Sequence, residues 1–241
     1  MPNKLIIIPT YNESENIEIL IRRIFKFVPD VSILIVDDGS PDGTANLCLA
    51  LTQEFPDLHI EKRSKKSGLG SAYRFGFSWG LQKNFKWIIE MDADMSHRVR
   101  DLIKMIGSLE SEPRPDLLIG SRWIKGGATL NWPKRREVLS RAANLYVRIM
   151  LGMGVSDSTA GFRIYSSDLL RKIPLDTIKS EGYSFQIEMT RAAKRAKATI
   201  VEVPITFRER ESGVSKMSGA IVREAMMLVT IWGLKRLFRT K

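Results

Sequence analysis

The sequence holds one cysteine and two histidines. A lone thiol, Cys48, excludes an internal disulfide framework and fits a reducing compartment. Cys48 lies in the apolar helical stretch TANLCLALTQEF, where a buried, inert thiol is expected rather than a nucleophile. His59 and His97 are too few for a histidine-rich zinc site, and there is no C-x-x-C pair. Long apolar runs are missing too. The run in MPNKLIIIPTYNE meets Pro9 and charge at once and does not read as a signal peptide. Near the other end, AMMLVTIWGL (225–234) is about half of the ~20 residues a spanning helix needs. A chain that does not cross a membrane by itself is expected. Several chemistry-bearing loops are likewise absent. GLGSAYRFG misses the last spacing of G-x-G-x-x-G, and neither a G-x-x-x-x-G-K-[ST] phosphate loop nor a G-x-S-x-G elbow occurs.

What the chain has in excess is positive charge. Lys and Arg number 38 against 27 acids, a formal charge of +11. That surplus favours an anionic partner: nucleic acid, a phosphorylated substrate or an anionic membrane surface. The charge by itself does not choose among them. At 241 residues and 44% hydrophobic, the chain can bury one substantial core.

Short apolar runs alternate with helical patterns. LIIIP (5–9), ILIVDD (33–38), WIIEMD (87–92) and LLIG (117–120) predict strands of a mostly parallel sheet covered on both faces. Ile17, Leu20, Ile21 and Ile24 fall at i, i+3, i+4 and i+7 and predict an amphipathic helix. DGTANLCLALTQEF and GLGSAYRFGFSWGL predict two more. The alternation gives an open α/β sheet, which binds ligands at the carboxyl ends of its strands. PTYNE, DDGSPDGT and MDADMSH all fall at such ends. Past residue 121 the pattern changes to a loop, SRWIKGGATLNWPKRRE, and a helix, SRAANLYVRIMLGMG. SDSTAGFRIYSSDLL follows, and SEGYSFQIEMTRAAKRA predicts a loop and then a helix. ATIVEVPITF predicts one strand, RERESGVSKMSG a basic loop, and 219–238 an amphipathic stretch. No internal repeat or low-complexity linker interrupts 1–241, so one domain is expected.

The stretch EMDADMSH carries the sharpest chemical signal. In an extended segment Asp92 and Asp94 point the same way. Two adjacent carboxylates repel unless a cation lies beside them. A hard divalent cation, Mg²⁺ or Mn²⁺, bridging to a diphosphate answers that requirement. A strand-end turn in which an Asp caps the next helix is the plainer alternative. In IVDDGSPDGT, Asp38 reads as binding a base or ribose and Asp42 as a helix cap. Tyr11 offers a face for a nucleobase and Glu13 an acceptor, while Asn12 with Glu15 reads as a helix start. Arg122, Arg135, Arg136, Arg163, Arg208, Arg210 and Lys216 lie in Gly- or Pro-containing segments and suggest two phosphate-bearing substrates.

PTYNE, VDDGSPDGT, DAD, GSR…GG…NWP, AGFR, EGYSFQIE and FRERESGVSKM follow one another in an order that resembles the dolichol- or polyprenol-phosphate mannose synthases of glycosyltransferase family 2. The likeness covers residues 5 to about 235 and looks most like the actinobacterial type. Those enzymes lack a C-terminal membrane domain or receive it from a separate or fused partner. The resemblance implies a nucleotide-sugar-binding fold, with a nucleotide-binding half to about residue 120, an acceptor-side half over 121–218 and a C-terminal helix over 219–241. It implies transfer of mannose from GDP-mannose to a polyprenyl phosphate, with inversion, at the cytoplasmic face of the membrane. By position, Pro9, Tyr11, Glu13, Val36 and Asp38 would hold guanosine. Asp92, Ala93 and Asp94 would hold ribose, diphosphate and metal, with Ser96 as a third ligand where some relatives carry Gln. Arg210 and Lys216 would clamp the donor phosphates, and Arg122 and Arg136 would receive the lipid phosphate.

The residues agree with such chemistry. A phosphate acceptor is already anionic and needs no strong general base, so the catalytic work is positioning and charge stabilisation. A UDP-glucose donor is the alternative that the residues leave open. A nucleic-acid partner is not expected, because no recognisable motif accompanies the charge. The C-terminal stretch pairs Ile221, Ala225, Leu228, Val229 and Trp232 with Lys235, Arg236, Arg239 and Lys241. That composition predicts an interfacial helix inserting its apolar stripe into the bilayer surface, or else a helix packed on the protein's own core.

Overall fold

Alternation along the strands builds the two sides of this molecule. In β1 (Lys4–Thr10) Ile6 and Ile8 enter one apolar cluster and Leu5 and Ile7 the other; in β2 (Val31–Asp37) Ile33 and Ile35 oppose Leu34 and Val36 in the same way. Both faces of these strands are therefore buried, as the near-continuous apolar runs require. The computed structural model describes residues 2–209 and 219–238. Among them, helix α1 (Ile17–Phe27) follows β1, α2 (Thr44–Leu51) follows β2, and β3 (Leu58–Lys62) precedes α3 (Leu69–Gln82). After β4 (Trp87–Glu90) come α4 (Val99–Gly107) and β5 (Leu117–Ser121). The second half holds β6 (Ala128–Leu130), α5 (Lys134–Leu151), β7 (Arg163–Ser166), α6 (Ser167–Lys172), α7 (Gly182–Arg195), β8 (Ile200–Pro204), β9 (Thr206–Arg208) and α8 (Gly219–Leu237).

The main sheet has seven strands in the order β3-β2-β1-β4-β7-β5-β8. Every neighbouring pair is parallel except those of β7, which runs antiparallel between β4 and β5. α1, α2 and α4 cover one face, α3, α6 and α7 the other. α3 comes unusually close to the sheet. A Cβ on Gly76 would lie 2.7 Å from Ile7, and one on Gly80 2.8 Å from Leu5 and Ile88. A two-stranded parallel sheet, β6 with β9, lies apart.

Several expectations change. Helix α1 begins at Ile17 behind Asn16, and Asn12 adopts a left-handed φ of 59° instead of capping it. ATIVEVPITF is two strands in two sheets, parted at Ile205, and Pro204 ends β8 at the sheet edge, where no partner asks for its N–H. Arg163 is not a loop cation. It opens β7, is fully buried, and donates to the carbonyls of Ser158 and Ala160 and to Gln186 O and Thr190 Oγ1.

The C-terminal helix also differs. Ala225 and Val229 are buried and Trp232 is half-buried; Val229 and Trp232 pack with Val147, Leu151 and Ile187 of α5 and α7. Of the two readings the sequence leaves open for this stripe, packing on the protein's own core is the one observed. The opposite face exposes Met227, Ile231, Leu234 and Phe238, and α5 exposes Val138, Leu145 and Ile149 beside it. The side chain of Ile221 and residues Arg239 and Lys241 lie outside the described residues. Among those described, no helix is long and apolar enough to cross a membrane.

Candidate active site

The carboxyl ends of β1, β2, β4 and β5 open onto one cleft of about 460 Å³. Pro9, Tyr11, Glu13, Asp38, Asp92, Ala93, Asp94, Arg122 and Arg136 line it. Val36 does not: its side chain is packed in the apolar core beside Ala72 and Leu34. Arg210 and Lys216 lie outside the described residues.

At the end of the cleft near β1 and β2, Lys66 Nζ is 4.1 Å from the centre of the Tyr11 ring. Asp38 is braced by an ion pair with Arg63 and by the backbone N–H of Ser67 at 3.0 Å. Asp37, one residue earlier, faces inward and accepts from Thr10 and Ser40. Asp42 accepts the backbone N–H of Thr44 at 3.0 Å and that of Ser14 at 3.1 Å. It therefore joins the PTYNE loop to the start of α2. Glu181 reaches across from the second half to accept the N–H groups of Gly70 and Ser71 at the start of α3.

The carboxylate turn follows β4. Asp92 is partly exposed, and the Tyr73 hydroxyl donates to it at 3.4 Å. Asp94 accepts the backbone N–H of Ser96 at 3.1 Å. Met95, at φ 62°, turns the chain between them. Ser96 is fully buried and does not line the cleft; its backbone N–H fixes Asp94, and its Oγ has no hydrogen-bond partner among the described residues. The residue that sequence reasoning missed is His97. Its Nδ1 accepts the Asp92 N–H at 3.1 Å, its ring stacks on Phe162 at 4.6 Å, and Phe207 meets it edge-on. Burial holds His97 below its ordinary pKa, against the pull of Asp92 and Asp94. With Nδ1 accepting, the neutral ring carries its proton on Nε2, which lies 3.9 Å from Asp92 Oδ2. No residue between Asp92 and His97 announces this closure in the sequence.

Among the described residues no cluster of three or more His, Cys, Asp and Glu side chains forms a closed metal cage. Asp92 and Asp94 instead stand together on the cleft wall. Two carboxylates, with substrate phosphates and water completing the shell, suit a small hard cation such as Mg²⁺. The donor set fits that type of ion.

At the opposite end of the cleft two cations differ in kind. Arg122, just past β5, donates through Nε and Nη2 to Asp157, both at 2.7 Å, and its backbone N–H donates there too. Burial works against its charge, but Asp157 more than offsets this and raises its pKa. Asp157 is anchored in turn by Glu202, which accepts its backbone N–H at 3.0 Å. Trp123, Trp132 and Phe207 surround the Arg122 guanidinium at 5.2–5.5 Å. Arg136, in the first turn of α5, stacks on Trp132 at 4.1 Å and pairs with Glu209. Arg135 is exposed, and Arg208 lies on β9, its backbone N–H donating to Ser96 O at 3.2 Å.

A smaller cavity of about 70 Å³ adjoins this end. It shares Arg122, Trp132, Arg136, Thr159 and Tyr183 with the cleft. From there it runs between α5, α7 and α8 over Leu139, Ala143, Val147, Ile187, Ala225, Met226 and Val229.

Known proteins share these features. The model of Glycosyl transferase family 2 matches residues 5–174. The chain is 49% identical over 232 residues to the polyprenol monophosphomannose synthase of Mycolicibacterium smegmatis, covering 96% of this chain and 87% of that one. It is 50% identical over 230 residues to the undecaprenyl-phosphate mannosyltransferase of Micrococcus luteus, covering 95% and 93%. Among solved structures, glucosyl-3-phosphoglycerate synthase from Mycobacterium tuberculosis with UDP superimposes with a TM-score of 0.70 at 18% identity, covering 95% of this chain and 79% of that one. A mannosyltransferase from Pyrobaculum calidifontis with GDP-Man and Mn²⁺ gives 0.61 at 17% identity, covering 100% and 65%. The mostly parallel sheet flanked by helices is the fold of these nucleotide-sugar transferases. On its sequence match and its fold together, this chain belongs to glycosyltransferase family 2.

Proposed function

We propose that this chain transfers mannose from GDP-mannose to the phosphate of a polyprenyl phosphate at a membrane surface. One observation carries the reading. A single cleft has paired carboxylates at one end and two arginines at the other, Arg122 buried and Arg136 partly exposed, and beyond the arginines it continues into an apolar groove. Such a cleft takes a charged donor and an acceptor that is a phosphate with a hydrocarbon tail. Two relatives of about half identity, named for mannose transfer to polyprenyl phosphates, support the same substrates.

The reaction is a single displacement. An acceptor phosphate oxygen attacks C1 of mannose, the bond from C1 to the β-phosphate oxygen breaks, and its electron pair leaves with GDP. Configuration at C1 inverts. The attacking oxygen is already anionic, so no side chain has to remove a proton, and His97 stays a neutral support for Asp92. Tyr11, Glu13 and Asp38 hold the guanosine with Pro9, Ala93 sits against the ribose, and Val36 can contribute only through its backbone. Asp92 and Asp94 would hold Mg²⁺ or Mn²⁺, which supplies charge to offset the diphosphate. Arg122 and Arg136 orient the acceptor phosphate, and fixed charges in a partly desolvated cleft do this without reorganising. Arg210 and Lys216 are assigned to the donor phosphates by their place in the sequence.

The exposed stripes of α5 and α8 give the protein an apolar face with basic neighbours, Arg141, Arg148, Lys235 and Arg236. That composition suits docking on the cytoplasmic surface of an anionic bilayer, where the acceptor lies.

The test is transfer from labelled GDP-mannose to a polyprenyl phosphate in detergent, with Mg²⁺, with EDTA, and with Asp94→Ala. Metal-dependent lipid-linked mannose that the variant does not make is expected. Transfer only from a UDP-sugar overturns the donor; transfer indifferent to EDTA and to the variant overturns the metal assignment.

A further inference from the structure

Both arginines assigned to the acceptor phosphate are already paired with carboxylates of this chain, but not equally. Arg122 is 5% exposed and spends its Nε and Nη2 on Asp157. It cannot turn away without leaving a buried carboxylate unpaired. Arg136 pairs with Glu209 through Nη1 alone. Its Nε is buried and has no hydrogen-bond partner among the described residues. The pair is only partly covered, with 23% of the Arg136 and 31% of the Glu209 side chain accessible. The Glu209 backbone is tethered separately, its N–H donating to Leu130 O at 3.0 Å beside the β6–β9 ladder. Rotation of its side chain therefore breaks the ion pair and no strand hydrogen bond.

We infer that Glu209 is a displaceable stand-in for the acceptor phosphate and determines which phosphates can enter; this rests on the acceptor reading given above. A carboxylate offers a guanidinium what a phosphate offers, anionic oxygens in a plane. Glu209 serves one nitrogen of Arg136 and leaves the buried Nε unserved, whereas a phosphate with three oxygens can serve both. Both residues line the cleft that also holds Asp92. While Glu209 is in place, Arg136 stays stacked on Trp132 and its charge is compensated, so a small soluble anion gains little by approaching. An acceptor with a hydrocarbon tail has a second source of binding energy, because Arg136 also walls the apolar groove. Burial of the tail drives displacement of Glu209. Inorganic phosphate, which has no tail, does not achieve it. Glu209 thus makes entry to the arginine conditional on the lipid.

The experiment compares wild type, Glu209→Gln and Glu209→Asp in mannose transfer to farnesyl phosphate in detergent, with inorganic phosphate as competitor and GDP-mannose binding followed by calorimetry. Removing a partly exposed ion pair should lower the farnesyl phosphate KM of Glu209→Gln by roughly two- to fivefold. Inorganic phosphate should become a competitive inhibitor of that variant at correspondingly lower concentration. Glu209→Asp, which keeps the charge, should stay near wild type on both measures, and GDP-mannose affinity should not follow the change. A Glu209→Gln enzyme with unaltered acceptor KM and unaltered phosphate inhibition overturns the inference, as does one whose acceptor KM rises. A wild-type enzyme that neither binds nor uses any prenyl phosphate overturns instead the acceptor reading beneath it.

Discussion

His97 Nδ1 accepts the backbone N–H of Asp92 at 3.1 Å, and this closes the turn that carries both carboxylates. The bond fixes the direction in which Asp92 leaves β4, and the stacked Phe162 ring fixes the imidazole. His97→Ala should therefore weaken Mn²⁺ binding and transfer together, by about 10- to 100-fold, the usual effect of losing a residue that orients a ligand. His97→Asn, which can still accept the N–H, should recover part of both. Titration with Mn²⁺ followed by electron paramagnetic resonance, beside steady-state rates, checks this. A variant that loses Tm but keeps metal affinity would reduce His97 to a packing residue.

Asp157 and Glu209 both face an arginine, yet breaking the two pairs should read out differently. Asp157→Asn leaves Arg122 buried with only part of its compensation, and such losses cost about 3–5 kcal/mol of stability. Arg136→Gln breaks a partly exposed pair, worth about 0–1 kcal/mol. Urea denaturation should therefore show a large fall for the first and almost none for the second. Acceptor KM should rise in Arg136→Gln with the fold intact.

Glu90 gives the stability of the protein a pH dependence. It is fully buried in β4, opposite Arg163 in register, and burial pushes its carboxyl up to about 8 despite the attraction of Arg163. The folded state therefore binds a proton that the unfolded chain, titrating near 4.5, has given up. That contribution to stability is fully present below the unfolded value and is lost as pH rises through about 8. Urea midpoints of the metal-free protein should fall between pH 6 and 9 more steeply for wild type than for Glu90→Gln. Parallel curves would mean that Glu90 is ionised throughout.

The two exposed stripes predict how the protein meets a membrane. Ile149→Glu on α5 and Phe238→Glu just past α8 lie at positions 66% and 84% exposed, so neither should disturb the fold. Each should reduce co-sedimentation with anionic vesicles several-fold, as loss of interfacial apolar area requires, and leave GDP-mannose binding intact. Val229→Glu, on the inward face of α8, should instead lower Tm. Vesicle binding that ignores Ile149 and Phe238 would place the docking surface elsewhere.

Much of the first half of the chain is legible in the sequence because its signals are local. Ile17, Leu20, Ile21 and Ile24 mark a helix and are all buried, and the motif loops at the strand ends do meet in one cleft. Cys48 is buried and its thiol pushed up to about 12 by burial, as an inert core residue should be. The second half is poorly legible because its partners are distant in sequence. Nothing near Arg122 announces Asp157, 35 residues away, nor does Arg136 announce Glu209, 73 residues away. Arg163 reads as a loop cation only because four residues of strand, RIYS, are too few to show a period. On α8 both faces carry large apolar side chains, so composition alone could not say which one packs against α5.

The reversed strand β7 has a mechanical consequence. Every parallel strand sends a loop outward from the cleft edge, whereas β7 receives one, the segment that brings in Asp157 and Thr159. Arg163 ties that segment down from inside, through the carbonyls of Ser158 and Ala160. The register of Glu90 against Arg163 and of Arg163 against Ile119 then works as a spacer, setting how far Asp92 and Asp94 stand from Arg122. A slip of one residue would shift that separation by about 3.3 Å and swing Arg163 out of the core. The spacing between the carboxylates and the arginine is thereby written into a strand of which no residue lines the cleft.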